Sequence, residues 1–454
     1  MNPGLAVTLR PTGPWRIGPE SGARNRVDVI YHSDSLYSAI TSAMARMGSL
    51  GEWLDATARN GRPAVCFSSC FPVLDEIRFV IPPRTVWPPT SPALMSARVR
   101  WKSARFVPLE VVRNIVAGSP PDENRWAIDG PSECLVPVGK SGPFRMNVRH
   151  SAAVDRMTGA TDRHSTACLE FRPGAGLWTV VSFADDAARD RWAGPVKAAF
   201  RLLADSGFGG ERSRGWGRSE APEFTEGMLP EMLLPAPKPA VEPPVPAPPE
   251  LPVKQPEPVA EQAAEPRAEQ ASESLQEQVA VSQPKQTSQP PVEQASETPV
   301  EPAAEPPAEP APETPAELAA ELTEPAPIAP MVAEEPPQPE AVREPELTAS
   351  EEPARQEPQK APAHWLLSLF TPAADDSIDW RRGNYSVLAR GGRVESASGW
   401  GELKKQVQMI TEGSVLYAAG APRGSAANVA PDGFPHPVFR AGFALAIPLP
   451  EVVS

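Results

Sequence analysis

The chain has 454 residues, 41% of them hydrophobic and 60 of them proline, with a formal net charge of −14. Thirty-two prolines and 25 glutamates fall between Pro235 and Pro362, with seven lysines and arginines and no glycine, aspartate, cysteine, histidine or aromatic residue, so this stretch cannot bury a core. Its net charge is −18 against −14 for the whole chain; the other residues therefore carry +4, which suits a polyanionic partner and excludes reading the protein as acidic throughout.

No apolar run reaches the length of a membrane span, and "MNPGLAVTLRPTGPWR" lacks an export signal, so no membrane and a cytoplasmic location are expected. Cys66 and Cys70 stand in "CFSSC", while Cys134 and Cys168 are isolated. Without a C-x-x-C pair or a matching histidine cluster they read as free thiols, with no metal site and no cofactor.

In chain order, "LAVTLRP" alternates like a strand. In "HSDSLYSAITSAMARMG", Ser33 or Asp34 is placed to cap a helix with Leu36, Ile40, Met44 and Met47 on one face and Gly48 at its end. Strand-like runs follow at 64–67, 77–81 and 178–183. The insertion from Pro82 to Glu110 joins a proline-stiffened loop to a basic, hairpin-like stretch with Arg98, Arg100, Lys102 and Arg105 around Trp101. "GPVKAAFRLLADSG" predicts a second helix with Pro195 near its first turn, Val196, Phe200 and Leu203 as its apolar stripe and Gly207 at its end. Strand character returns by Phe224. This order, strand, helix, strands, helix, strand, is that of a ferredoxin-like βαββαβ unit enlarged by insertions.

From 231 to 362 the glutamates recur every four residues over long runs, but the prolines forbid a continuous helix. A disordered Pro/Ala/Glu-rich linker with a reach on the order of 60 Å is expected there. From 363 to 454, "HWLLSLF" reads as a strand, "YSVLARGGRVES" as a hairpin turning at Gly391 and Gly392, and "HPVFRAGFALAIPL" as a closing strand. The chain is thus expected to be α+β, with one domain over 1–230 and a smaller, helix-poor one over 363–454.

"GFGGERSRGWGR", residues 207–218, holds the strongest chemical signal. It contains neither G-x-x-x-x-G-K-[ST] nor a clean G-x-G-x-x-G, and it follows a helix where the common phosphate loops follow a strand. Its glycines permit close backbone approach, so Gly209, Gly210 and Ser213 are candidates for amide contacts with an anion. Arg212, Arg214 and Arg218 are candidates for phosphate contacts, and Phe208 and Trp216 for stacking on unpaired bases.

A helix followed by such a loop resembles the RAMP superfamily of CRISPR proteins. "HSDSLYSAI", "FSSCFP", "WKSARFVPLE", "NVRHSAAVDRMTG", the glycine-rich stretch, "RGGRVES" and "HPVFRAGFALAIP" together resemble the Csm subunit-four family, the Cas-five group of type III-A effector complexes. The long linker departs from that family's pattern. The resemblance implies two ferredoxin-like, RRM-like RAMP domains in a subunit that is not an enzyme. It would hold the 5′ repeat-derived tag of crRNA and join the large Palm-domain subunit to the backbone RAMP subunit. Lys102, Arg105, Arg149 and Arg156 are then secondary RNA contacts. The competing expectation is a crRNA-processing RAMP endoribonuclease with His32 as general acid/base, since His32 begins the first helix and imidazole titrates near neutrality; in the non-enzyme reading His32 is an RNA-contacting group. Asp34 reads more simply as a helix cap than as a metal-assisting carboxylate, and His150, His164 and His436 show no ligand spacing.

Overall fold

The computed structural model describes residues 2–19, 22–89, 101–119, 121–234, 361–394 and 401–450. β1 (Asn2–Leu9) is buried along most of its length because it pairs on both sides inside a sheet, which explains its nearly unbroken apolar run. The chain continues through α1 (Ser33–Arg46), α2 (Leu50–Ala56), β2 (Val65–Phe67), β3 (Phe71–Leu74), β4 (Ile77–Val80) and β5 (Val107–Pro108). Next come α3 (Leu109–Val116), β6 (Trp126–Asp129), β7 (Cys134–Pro137), β8 (Phe144–Val154), β9 (Thr161–Phe171), β10 (Ala175–Phe183), α4 (Asp186–Ser206) and β11 (Glu223–Leu229). The main sheet runs β11-β1-β10-β3-β4-β5, antiparallel at each pairing, with β2 also on β10.

α1 follows its predicted stripe: Leu36, Ile40 and Met44 are buried, although Met47 is exposed beyond the last turn. Gly48, at φ +81°, ends the helix, and the Ser49 N–H donates back to Met44 O at 3.0 Å in a Schellman-type closure. Neither Ser33 nor Asp34 caps it. The cap position is His32, without a side-chain cap bond, and both neighbours turn to tertiary partners instead. α4 begins at Asp186, well before the expected first turn, because the Asp185 carboxylate accepts from the Ala188 N–H at 2.7 Å; Pro195 lies in the helix interior.

The basic stretch around Trp101 is not a described hairpin: Trp101 is buried and stacks on Trp87, and Arg98 and Arg100 lie outside the described residues. The long hairpin is β8–β9, paired from Phe144↔Phe171 to Val154↔Thr161. Much of it is solvated, so the sequence carries little hydrophobic period to announce it.

After residue 361 come β12 (Ala363–Leu366), β13 (Ile378–Asn384), β14 (Val387–Arg390), β15 (Val407–Ile410), β16 (Val415–Ala418), β17 (Gly424–Asn428), β18 (Phe439–Phe443) and β19 (Ala446–Leu449). No described residue here is helical. The order β13-β16-β12-β19 forms one sheet, while β14 pairs with β15 and β17 with β18. Two expectations are corrected. β14 pairs not across Gly391–Gly392 but with β15, in the register Val387↔Ile410. The closing strand breaks at 444–445, so that β18 and β19 enter different sheets; Gly442 lets Thr371 approach so closely that a Cβ would lie 2.6 Å from its backbone N.

The segments 2–234 and 361–450 fall in one compact unit. Trp365, Leu367, Val415, Phe443 and Ile447 belong to the same apolar core as β1, α1 and α4, and the Trp365 indole N–H donates to Ile81 O at 3.1 Å. The expected linker residues 235–360 lie outside the described ones.

Candidate nucleic-acid interface

The glycine-rich stretch is tight because it folds against itself and against residues 14–16. Gly207, Gly209 and Gly217 have φ of +76°, +87° and +78°. A Cβ on them would lie 2.5 Å from Trp216 O, 2.6 Å from Arg16 O and 2.1 Å from Phe208 O. The N–H groups of Phe208, Gly210 and Gly217 donate to Gly217 O (3.2 Å), Arg16 O (2.8 Å) and Pro14 O (3.0 Å). Close packing thus accounts for the glycines, and these three amides face protein carbonyls rather than an anion. Arg16 anchors the neighbouring strip, its buried guanidinium donating to the carbonyls of Ala23, Arg24, Arg26 and Ala167.

The aromatics also turn inward. Phe208 is buried between Trp15 (4.5 Å) and Tyr31 (5.0 Å), edge to face with each. Trp216 is only 8% exposed, with the Arg149 guanidinium 5.9 Å from its ring centre, so its faces are not offered to a base. Arg212, Ser213, Arg214 and Arg218 are exposed; Arg214 pairs with Glu211 at 3.2 Å and lies 3.3 Å from His164 Nε2. Arg149 donates to Glu170 at 2.9 Å on the long hairpin, and Arg156 is exposed near its tip. Lys102 is exposed, and Arg105 stands 3.9 Å from both Asp28 and Glu133, apart from the glycine-rich loop in sequence and in its neighbours.

His32 is buried at the foot of α1, its Nδ1 2.7 Å from Glu412 and its Nε2 3.3 Å from Asp28. Burial opposes its charge, yet the Glu412 carboxylate and the hydrogen bonds to Asp28 and Glu412 outweigh burial and hold it protonated up to about 9. Next to it, Asp34 accepts from Arg390 Nε (3.0 Å) and Nη2 (2.9 Å) and from Arg440 Nη1. Burial would raise its pKa, but the two guanidiniums hold it down at about 2. Ser69 Oγ donates to Glu412, and the Leu369 N–H donates to Ser33 Oγ at 3.0 Å. One buried polar cluster therefore joins α1 to strands more than 330 residues away.

Its pH dependence has a definite sign. His32 rises from 6.5 to about 9, so its contribution is complete below pH 6.5 and lost as pH climbs through about 9. Asp34 falls from 3.8 to about 2, so its contribution is complete above 3.8 and lost toward 2. Denaturation midpoints should hold between these limits and fall by the equivalent of a few kcal/mol from pH 6.5 to 9. A flat profile there would remove His32 from the stabilising cluster.

Above the cluster opens a cleft of about 1360 Å³, lined by α1, the glycine-rich turn and the turn after β14. Arg46, Arg212, Arg393 and Lys404 line it from three sides, and the Gly209 and Gly391 backbones lie between them. The structure thus brings together the two glycine- and arginine-rich turns that the sequence holds some 180 residues apart. Arg46, Arg390, Arg393, Lys404, Glu412 and Arg440 were missed in the sequence. Arg440 and Glu412 did carry a signal, since a charge inside an apolar strand run calls for a buried partner.

Among the described residues no group of three or more His, Cys, Asp or Glu is placed to hold a metal ion, and no helix is long and apolar enough to cross a membrane. The four cysteines are free thiols, and burial pushes Cys66 and Cys134 up to about 12.

Residues 359–449 match the family model of the CRISPR Csm4 C-terminal domain. Over these residues the chain is similar to the Csm4 family. The Csm4 match spans β12 to β19 and so supplies Arg390, Gly391, Arg393, Lys404 and Arg440 to the cleft. Among solved structures, the chain is similar to one in a Csm3–Csm4 subcomplex of the type III-A CRISPR-Cas interference complex, at 10% identity and TM-score 0.48, covering 98% of this chain and 99% of that one. It is also similar to a chain of a Csm1–Csm4 cassette in complex with cA4, at 13% identity and TM-score 0.45, covering 99% and 98%. No curated protein matches the sequence. The Csm4 C-terminal domain match bears out the resemblance read from the sequence motifs over residues 359–449.

Proposed function

We propose that the chain is a non-catalytic subunit of a type III-A CRISPR interference complex, holding the 5′ repeat-derived tag of crRNA and bridging the large Palm-domain subunit to the RAMP backbone. The Csm4 C-terminal domain supports membership of such a complex. The observation that carries the RNA role is the cleft, where basic side chains and glycine backbones from both halves converge on a space of about 1360 Å³. A ferredoxin-like reading of the N-terminal unit is supported by the order β11-β1-β10-β3, with α1 following β1 and α4 following β10.

The endoribonuclease alternative is not favoured. Both ring nitrogens of His32 face carboxylates, the ring is buried, and its proton is held to about 9, so it is poorly suited to exchange a proton with a ribose hydroxyl near neutral pH.

The test is the affinity of the purified chain for a tagged crRNA across a salt series. Replacing Arg212 and Arg393, one from each of the two turns that line the cleft, with alanine should weaken binding and flatten the log–log salt dependence by about 0.7 for each phosphate that is no longer neutralised. An unchanged slope with unchanged affinity would falsify the cleft as the RNA site.

A further inference from the structure

We infer that the edge strand β13 presents a second contact for single-stranded RNA, where an unpaired base stacks on the Trp380–Tyr385 pair and Arg84 and Arg381 meet the flanking phosphates. This rests on the cleft being an RNA site and extends it along the protein surface.

β13 is the outer strand of its sheet. It pairs with β16 at Ile378↔Ala418 and Asp379↔Tyr417, and the next partner is Asn384↔Val415, so Trp380–Gly383 swing out of the ladder. The Trp380 and Tyr385 rings meet edge to face at 5.3 Å, yet remain 37% and 38% exposed. Gly383 makes that meeting possible, because a Cβ there would lie 3.0 Å from Tyr385 Cδ1. A paired indole and phenol left half in water on a bulge form a stacking platform rather than part of a core.

The surrounding charge selects the occupant. Arg381 is exposed, and the Arg382 guanidinium sits 4.1 Å over the Tyr417 ring. Arg84, from the other half of the chain, donates to Ser386 Oγ beside Tyr385. Asp379, the acid of this strand, accepts from the Arg381 N–H at 3.1 Å. Three arginines around an aromatic pair complement a polyanion with unpaired bases. Trp, Tyr and Arg also populate protein interfaces, but here β14 leads directly from Tyr385 to Arg390 and Gly391 in the cleft wall. Five residues of extended chain cover about 17 Å, a short path for one continuous strand of RNA.

The experiment uses the full chain and two labelled oligouridylates, one of about 5 nucleotides and one of about 14, followed by anisotropy. Trp380→Ala should weaken the longer RNA by roughly 5- to 100-fold and leave the shorter one unchanged, while Trp380→Phe retains most of the affinity. Arg381→Ala, at an exposed position with little packing to disturb, should lower the salt slope for the longer RNA by about 0.7, so the test survives if Trp380→Ala melts early. If both alanine variants bind both RNAs like the parent, the platform is not an RNA contact; loss of a protein subunit by those variants would make it a protein contact and overturn the inference. If the parent binds the short RNA but gains nothing from the longer one, this inference fails and the cleft reading stands. If the parent binds neither RNA, the cleft reading fails and takes the inference with it.

Discussion

Asp34→Asn should destabilise the protein by about 3–5 kcal/mol, measured as a shift of the denaturation midpoint in urea. Asp34 is fully buried, and its two oxygens are the counter-charge for Arg390 and Arg440, each with only 8% of its side chain exposed. Asparagine keeps the size and loses the charge, so two guanidiniums remain in the interior facing an amide that offers one acceptor where two were needed. Replacing Asp34, Arg390 and Arg440 together by Leu or Met should recover much of the loss, because no unpaired charge is then left behind. A single variant as stable as the parent would show that water reaches the cluster and solvates the arginines.

Gly217→Ala should cost about 2–4 kcal/mol, and the thermal midpoint should fall accordingly. At φ +78° an alanine is strained wherever it stands, and here its Cβ would also meet Phe208 O at 2.1 Å and Phe208 N at 3.0 Å. Those atoms belong to the backbone, and Phe208 is clamped between Trp15 and Tyr31, so nothing nearby yields easily. Gly215→Ala is the internal control: its φ is +79°, but no atom lies within 4 Å of the added Cβ, so only the backbone strain remains, about 1–2 kcal/mol. Equal losses at the two positions would mean that the close approach to Phe208 relaxes freely.

The sequence made local features legible and left distant ones hidden. The stripe of α1, its Gly48 stop and β12 follow from period and capping, which act within a few residues. The glycine-rich stretch has a special backbone, as its sequence suggests, but the reason differs: its glycines and aromatics serve packing against residues 14–16, and of its arginines Arg212 lines a larger cleft. The partners of His32 and Asp34 could not be read locally, since Glu412 and Arg440 stand 380 and 406 residues away. The β14–β15 pairing escaped for a related reason, because the Gly391–Gly392 pair imitates a tight hairpin while β14 finds its partner only at residues 407–410.

The separation of Asp34 from Arg440 also sets a clock during synthesis. At about 5–20 residues per second, a ribosome needs roughly 20–80 s after making Asp34 before Arg440 exists. For that interval α1 has emerged with its future interior charges, and with the Tyr37 face that later meets Phe443, still without their counterparts. The nascent N-terminal half can therefore complete this buried charge pairing, and the packing of its Tyr37 face, only after Arg440 and Phe443 have been made.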